Sequence, residues 1–211
     1  MGGEFEVIIS EDGSTDGTYE VCRALAERYP EVRFLHSAGR LGKGLALRRA
    51  WREANGEVIA FVDADLPVAI EALPLLVEPI GRGYDLTIGS RYIEGSEVMR
   101  SRYKTFKSRF YNWLANLFFH TGVSDHQCGF KAFNKRTMEG VVYDVKDTGF
   151  FFDTELLVKA KRRGFRIMEV PVKWIEPKSR RSKVSFFDEV CLVAGLISMA
   201  FMKIFASWTI S

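Results

Sequence analysis

Along this chain the apolar positions switch repeatedly between short runs and three- and four-residue steps. That switching predicts a string of strands and helices. Phe5–Ser10 (FEVIIS) is a β-branched run that stops at a polar, Gly-rich turn. Asp16 or Thr18 can cap a helix through Tyr29, with Pro30 as its stop. Val32–His36 reads as a strand, and Gly42–Ala54 as a helix with Leu45, Ala46, Ala50 and Trp51 on its apolar stripe. Glu57–Val62 is nearly all apolar, as a strand buried on both faces should be. There follow a helix over Ile70–Arg82, a strand over Asp85–Gly89, an amphipathic helix over Ser101–Phe119 and a strand over Phe130–Asn134. A helix over Phe151–Arg163, an alternating strand over Ile167–Ile175 and a last helix over Ser185–Ala206 complete the series.

The first half is therefore β-α-β-α-β-α-β, which predicts an α/β fold with a parallel, doubly wound sheet. Such sheets bind ligands beyond the carboxyl ends of their strands. Polar clusters stand at those positions: EDGSTDG after the first strand, DAD after the third, and GSRY at the end of the fourth.

Composition narrows the class. With 211 residues, 47% hydrophobic and 27% charged, the chain can bury a sizeable core as one domain. A net charge of +3 is too small to argue for a nucleic-acid partner. Three distant cysteines (Cys22, Cys128, Cys191) exclude a disulfide framework and suit a reducing compartment. His36, His120 and His126 have no metal-ligand spacing, and no Ser/His/Asp or Cys/His nucleophile arrangement stands out. The first ten residues lack the basic region of a secretory signal. The longest apolar run, Val190–Met202, has 13 residues, fewer than the roughly 17 a bilayer span needs.

The sharpest chemical signal is Asp63-Ala64-Asp65, two carboxylates ending an apolar strand. Charges at the edge of a core need neutralising, and a divalent metal with a bound diphosphate would do so. A helix cap beside a solvated acid is the bland alternative. In Glu11–Thr18 the Gly, Ser and Asp residues suit a turn and a cap, but Glu11 and Asp12 offer acceptors at a strand mouth, where a nucleobase N–H or a ribose hydroxyl could dock. Gly39-Arg40-Leu41-Gly42-Lys43-Gly44 lacks the spacing of an ATPase P-loop, although Lys43 at a helix start could lie near phosphate. Val98–Ser124 contains no acid but carries Arg100, Arg102, Lys104, Lys107 and Arg109 among bulky aromatics. Lys178, Arg180, Arg181 and Lys183 form a second basic patch. A solvated face and nucleic acid both fit such runs; the apolar content favours an anionic membrane surface or lipid head group.

Taken in order, E-D-G-S-T-D-G-T (Glu11–Thr18), L-G-K-G (Leu41–Gly44), D-A-D (Asp63–Asp65), G-S-R-Y (Gly89–Tyr92), D-H-Q-C-G-F-K (Asp125–Lys131), F-D-T-E-L (Phe152–Leu156) and E-V-P-V-K-W (Glu169–Trp174) resemble the family-2 glycosyltransferases of GT-A fold. The last four narrow the resemblance to polyprenyl-phosphate sugar synthases, and within them to the dolichyl-phosphate glucose and mannose synthase branch. The resemblance implies a Rossmann-like, mostly parallel sheet sandwiched by helices, with a C-terminal amphipathic, apolar helix. It implies inverting transfer of a hexose from UDP-glucose or GDP-mannose to a polyprenyl or dolichyl phosphate, with Mg²⁺ or Mn²⁺ and no nucleic acid. The lipid phosphate is already ionised, so no strong general base is required.

By the same resemblance, Asp12 reads the nucleotide base. Asp65 ligates the metal directly, and Asp63 lies nearer the ribose and the metal's waters. Arg91 holds the acceptor phosphate, with Lys104 and Ser108 on one helix face. Asp125 and Gln127 frame the donor sugar, and Asp153 and Glu155 face the reaction centre. Lys43 joins the donor site, and Arg181 and Lys183 belong to a basic loop over the diphosphate. Asp65, Arg91, Asp153 and Glu155 are the expected catalytic set.

Three departures accompany it. The family carries a further strand and acidic loop about 30 residues before the position of Phe5, so the domain over 1–184 is expected to be N-terminally incomplete. Glu11 replaces the more usual Asp, and Pro67 stands where some relatives carry Gln. Residues 185–211 are expected to lie at the membrane interface, since 13 apolar residues reach only ~20 Å. The expected location is the cytoplasmic face of a membrane. A non-catalytic remnant that binds membrane or a partner, and a transferase with a soluble acceptor, are the competing readings.

Overall fold

The computed structural model describes residues 4–176 and 186–208. Its strands are β1 (Val7–Ser10), β2 (Val32–Leu35), β3 (Val58–Val62), β4 (Leu86–Ser90), β5 (Glu97–Met99), β6 (Phe130–Asn134), β7 (Ile167–Pro171) and β8 (Lys173–Ile175). The helices are α1 (Thr18–Arg28), α2 (Lys43–Glu53), α3 (Leu73–Gly81), α4 (Arg102–Phe119), α5 (Lys135–Gly140), α6 (Phe152–Arg162) and α7 (Phe186–Trp208). Short 3₁₀ turns precede α3 and follow α5.

Parallel pairing holds for β1 with β2, β4 with β7 and β5 with β8. The central sheet runs β3-β6-β4-β7, and β6 lies antiparallel to both its neighbours. Its direction follows from where it begins: the Gly129 carbonyl accepts from Asp63 N–H at the end of β3, so β6 runs back from the site end. The expected strand over Ile167–Ile175 is two strands. Pro171 has no N–H to continue the ladder, and beyond Val172 the chain leaves β4 for β5.

The core is one aromatic and aliphatic cluster. Trp51 of α2 packs on Phe133 (5.4 Å from Phe152, 4.9 Å from Phe133, 5.7 Å from Phe61 between ring centroids). A second cluster joins Tyr111, Ala115 and Phe119 of α4 to Leu196 and Met199 of α7. Between β1 and β3 there is no pairing. The two strands instead line one cleft of about 2130 Å³, roofed by Ala46, Ala50 and Trp51 of α2.

A strand with one free edge leaves main-chain amides open to water. Hydrogen–deuterium exchange should therefore be faster for the cleft-facing amides of β1 and β3 than for β4, which is paired on both sides. Equal protection in all three strands would show that the cleft is closed in solution.

Candidate active site

The acid pair terminates β3 because the strand's apolar run ends at Val62 and the chain turns at once. Leu66 N–H donates to the Asp63 carbonyl at 2.9 Å, and Leu66 is held in the left-handed region at φ 44°. A branched residue there is strained, which marks a turn fixed by its surroundings. Gly129 makes the acid pair's position possible: a Cβ at 129 would lie 1.8 Å from Asp63 Oδ2.

Beneath the pair lies a chain of charges. Asp153, at the start of α6, is fully buried and accepts from Lys43 Nζ at 2.8 Å and Lys131 Nζ at 2.7 Å. Lys43 Nζ also stands 3.6 Å from Asp63 Oδ1. Lys131 is fully buried in β6 between Phe61 of β3 and Ile88 of β4. Its ammonium donates to the carbonyls of His126 (3.2 Å) and Cys128 (2.6 Å) as well as to Asp153. Burial alone would raise the Asp153 pKa, but the Lys131 and Lys43 ammoniums outweigh it and hold the carboxyl below its ordinary value. Burial likewise opposes the charge on Lys43, and Asp153 with Asp63 more than compensates, so its pKa is raised. Asp63, about a third exposed, has its pKa raised by desolvation ahead of the opposing pull of Lys43.

A second constellation surrounds Arg91 at the end of β4. Its guanidinium makes a two-pronged bond to Asp125, at 2.6 and 2.8 Å, and its own N–H reaches the same carboxylate. Both side chains are buried, and the guanidinium lies 4.6 Å from the Trp174 ring centroid. Lys104 pairs with Glu176 at 2.7 Å. Gln127 is held by Thr154 Oγ1 at 2.8 Å, which Tyr111 Oη also meets. In the same loop His126 is fully buried, its ring nitrogens 2.8 Å from Thr121 Oγ1 and 3.0 Å from Asn112 Oδ1. Burial pushes its pKa down from 6.5 to about 4 and pushes the Cys128 thiol up to about 12.

Asp12, Lys43, Asp63, Asp65, Arg91, Lys104, Ser108 and Gln127 thus line one cleft. The Asp12 carboxylate accepts from Leu41 N–H (2.6 Å) and Gly42 N–H (3.0 Å), which ties the β1 turn to the start of α2. Asp125 and Asp153 stand behind the lining and hold Arg91, Lys43 and Lys131. Glu155 is not brought to the cleft: it accepts from the Lys146 and Asp147 amides and pairs with Lys159 at 2.7 Å. Arg181 and Lys183 lie outside the described residues. Sequence reasoning assigned no role to Lys131, although a cation in the apolar strand FKAFN is itself a signal of a buried acidic partner.

The same cleft is also lined by Phe106, Phe110 and Leu114 of α4, by Leu192 and Val193 of α7, and by the acids Glu176 and Glu189. Helix α4 exposes Tyr103, Phe106, Phe110, Trp113 and Leu117 in three- and four-residue steps, Phe106 and Phe110 at the cleft and the others outside its lining. α7 docks through Leu196 and Met199 and exposes Val190, Val193, Ile197 and Phe201. No described helix is long and apolar enough to cross a membrane.

Residues 1–141 match the family model described as glycosyl transferase family 2. The chain is 45% identical over 175 residues to the glycosyltransferase AglD of Haloferax volcanii, covering 82% of this chain and 28% of that protein. It is 30% identical to the dolichyl-phosphate beta-glucosyltransferase ALG5C of Trichomonas vaginalis, over 98% of this chain and 63% of that one. To the dolichol-phosphate mannosyltransferase of Pyrococcus furiosus it is 32% identical, over 81% and 48%. The chain therefore spans less than two thirds of the length of each of these relatives. Among solved structures, glucosyl-3-phosphoglycerate synthase from Mycobacterium tuberculosis, in complex with Mn²⁺, UDP and phosphoglyceric acid, superposes with a TM-score of 0.66 at 22% identity, over 92% of this chain and 67% of that one. That likeness establishes a GT-A-like fold.

Two stability measurements test this electrostatic arrangement. Asp153→Asn leaves two buried ammoniums short of a counter-ion, and should lower the unfolding free energy by about 3–5 kcal/mol in urea titration. A loss under about 1 kcal/mol would contradict the buried trio. For His126 the folded-state pKa lies below the unfolded one, so protons bind the unfolded chain first. The stability of the neutral ring is complete above pH 6.5 and is lost as pH falls toward about 4. Over that window the wild type should lose on the order of 3 kcal/mol more than His126→Gln. Parallel pH profiles would show the ring is not buried neutral.

Proposed function

The chain belongs to glycosyl transferase family 2, and from that premise we propose that it transfers a hexose from a nucleotide sugar, UDP-glucose or GDP-mannose, to a polyprenyl or dolichyl phosphate, with inversion. One observation carries the reading: a single cleft is lined by an acid pair, a cluster of cations and apolar side chains of α4 and α7. The acid pair suits a metal-bound diphosphate, the cations suit a phosphate monoester, and the apolar side chains suit a prenyl chain. The relatives from Trichomonas vaginalis and Pyrococcus furiosus, a dolichyl-phosphate beta-glucosyltransferase and a dolichol-phosphate mannosyltransferase, support the same reading.

Asp63 and Asp65 would hold Mg²⁺ or Mn²⁺. Their oxygen donors fit a hard cation, and both residues line the cleft at the end of β3. Among the described residues no three His, Cys, Asp or Glu side chains gather into a cage, so diphosphate and water oxygens would complete the shell. When bound, the ion supplies positive charge to the leaving diphosphate.

The protein's own task is positioning. Asp12 is assigned to the nucleoside end, Lys43 to the diphosphate, Gln127 to the sugar, and Arg91, Lys104 and Ser108 to the acceptor phosphate. A phosphate oxygen of the acceptor forms its bond to the anomeric carbon as the bond from that carbon to the diphosphate breaks. The nucleoside diphosphate departs with the electron pair, and no side chain has to take a proton. Asp153 and Asp125 act through the cations they hold.

Residues 1–184 would be the catalytic domain. Residues 185–211 would lie in the interface of a membrane at its cytoplasmic face. The exposed apolar stripes of α4 and α7, with Arg102 and Arg109 beside them, support that placement.

The test is product analysis with radiolabelled UDP-glucose and GDP-mannose, dolichyl phosphate and anionic liposomes. Label should enter the organic phase with one donor. EDTA should abolish transfer reversibly, and Asp65→Ala should abolish it outright. Label confined to water-soluble product would replace the lipid acceptor with a soluble one, and full turnover in EDTA would remove the metal.

A further inference from the structure

We propose that Arg100 is a further acceptor-phosphate residue, a cation beside Arg91 and Lys104 that has no ion-paired carboxylate among the described residues. The inference rests on the reading that this stretch of the cleft receives the acceptor.

The argument is one of charge and orphaned donors. Arg91 reaches the cleft with its charge matched by a two-pronged bond to Asp125, and Lys104 with its charge matched by Glu176. Glu176 also attracts Arg100, so three cations, Arg91, Lys104 and Arg100, stand against two carboxylates, Asp125 and Glu176. Arg100 lines the same cleft. No ion pair joins it to a carboxylate among the described residues, and its Nε is buried without a hydrogen-bond partner. Tyr92 and Glu176 both lie close enough to Arg100 to favour its charge.

Orphaned buried donors are costly and call for an acceptor. Burial, and then the neighbouring Arg91 guanidinium, lower the proton affinity of Arg100, so an anion arriving there relieves both effects. A tetrahedral phosphate oxygen set can accept from several donors at once, and a guanidinium offers a planar fork that lysine lacks.

The placement is built by the fold. Arg100 directly follows β5, whose Met99 carbonyl accepts from Glu176 N–H at 3.0 Å. That bond brings the Lys104 partner and Arg100 to one rim. The parallel β5–β8 ladder puts Trp174, the ring against which Arg91 lies, opposite Val98.

Calorimetry on the full chain tests this with four probes: a short isoprenyl monophosphate, inorganic phosphate, the corresponding isoprenol, and UDP. Arg100→Gln should weaken the isoprenyl monophosphate and inorganic phosphate by about tenfold to a hundredfold. It should leave UDP and the isoprenol unchanged. Arg100→Lys should recover only part of the loss, and both variants should keep the wild-type thermal midpoint, which separates a binding role from a structural one. Unchanged phosphate affinity in Arg100→Gln would overturn the proposal. An equal loss for UDP would also overturn it, by moving Arg100 to the donor diphosphate. If inorganic phosphate binds as tightly as the isoprenyl monophosphate and both depend on Arg100, the phosphate site stands and the lipid acceptor falls. If the isoprenol binds as tightly as its phosphate, the proposal falls.

Discussion

A carboxylate with no exposed surface, Asp153, is gripped by two ammoniums, and much of the site's geometry follows from that one grouping. Isolated, each charge would be too costly to bury. Together they fasten α6 to α2 through Lys43 and to β6 through Lys131. Lys131 then spends its other donors on the carbonyls of His126 and Cys128, which sets the loop that leads into β6. That loop carries Asp125 to Arg91 and Gly129 against Asp63. The two ends of the proposed reaction site are thereby registered to each other through buried charge, although they rise from different strands.

The other half of the architecture is an apolar surface rather than a lock. α4 buries Tyr111, Ala115 and Phe119 against α7 and turns a different aromatic stripe outward. α7 does the same with aliphatic residues. An exposed patch of this kind signals a partner, and its continuity with the cleft restricts what that partner can be. The proposed lipid phosphate would use both features of the lining, its charge meeting the cations and its chain the apolar side chains of α4 and α7.

Much of this was legible in the sequence because strand ends declare themselves. A buried run stopping at an acid, as at Val62–Asp63, locates a site without any knowledge of the neighbours. What periodicity cannot carry is direction and partnership. β6 has the composition of a central strand, yet nothing in FKAFN says that it runs against β3 and β4. β5 is three residues long and α5 six, too short to show a repeat. Asp153 and Glu155 look equivalent in F-D-T-E. Two positions apart on a helix, however, they point in nearly opposite directions: one meets Lys43 and Lys131, the other the 146–147 amides and Lys159. Arg100 sat in a basic run whose members became distinguishable only when the fold gave Lys104 an ion pair with Glu176 and gave Arg100 none among the described residues.

The ionisation states around the cleft fit the absence of a catalytic base. Asp153 is held in its charged form by two ammoniums and lies behind the wall. His126 is kept neutral down to about pH 4, but buried, with both ring nitrogens engaged. Cys128 stays a thiol up to about 12. Each group is driven away from the range in which it could exchange a proton usefully near neutrality. An acceptor hydroxyl would need such a group to lose its proton, whereas a phosphate monoester, with its second pKa near 6, brings a nucleophile already ionised. In the proposed reaction a phosphate acceptor therefore asks no proton transfer of these three buried groups.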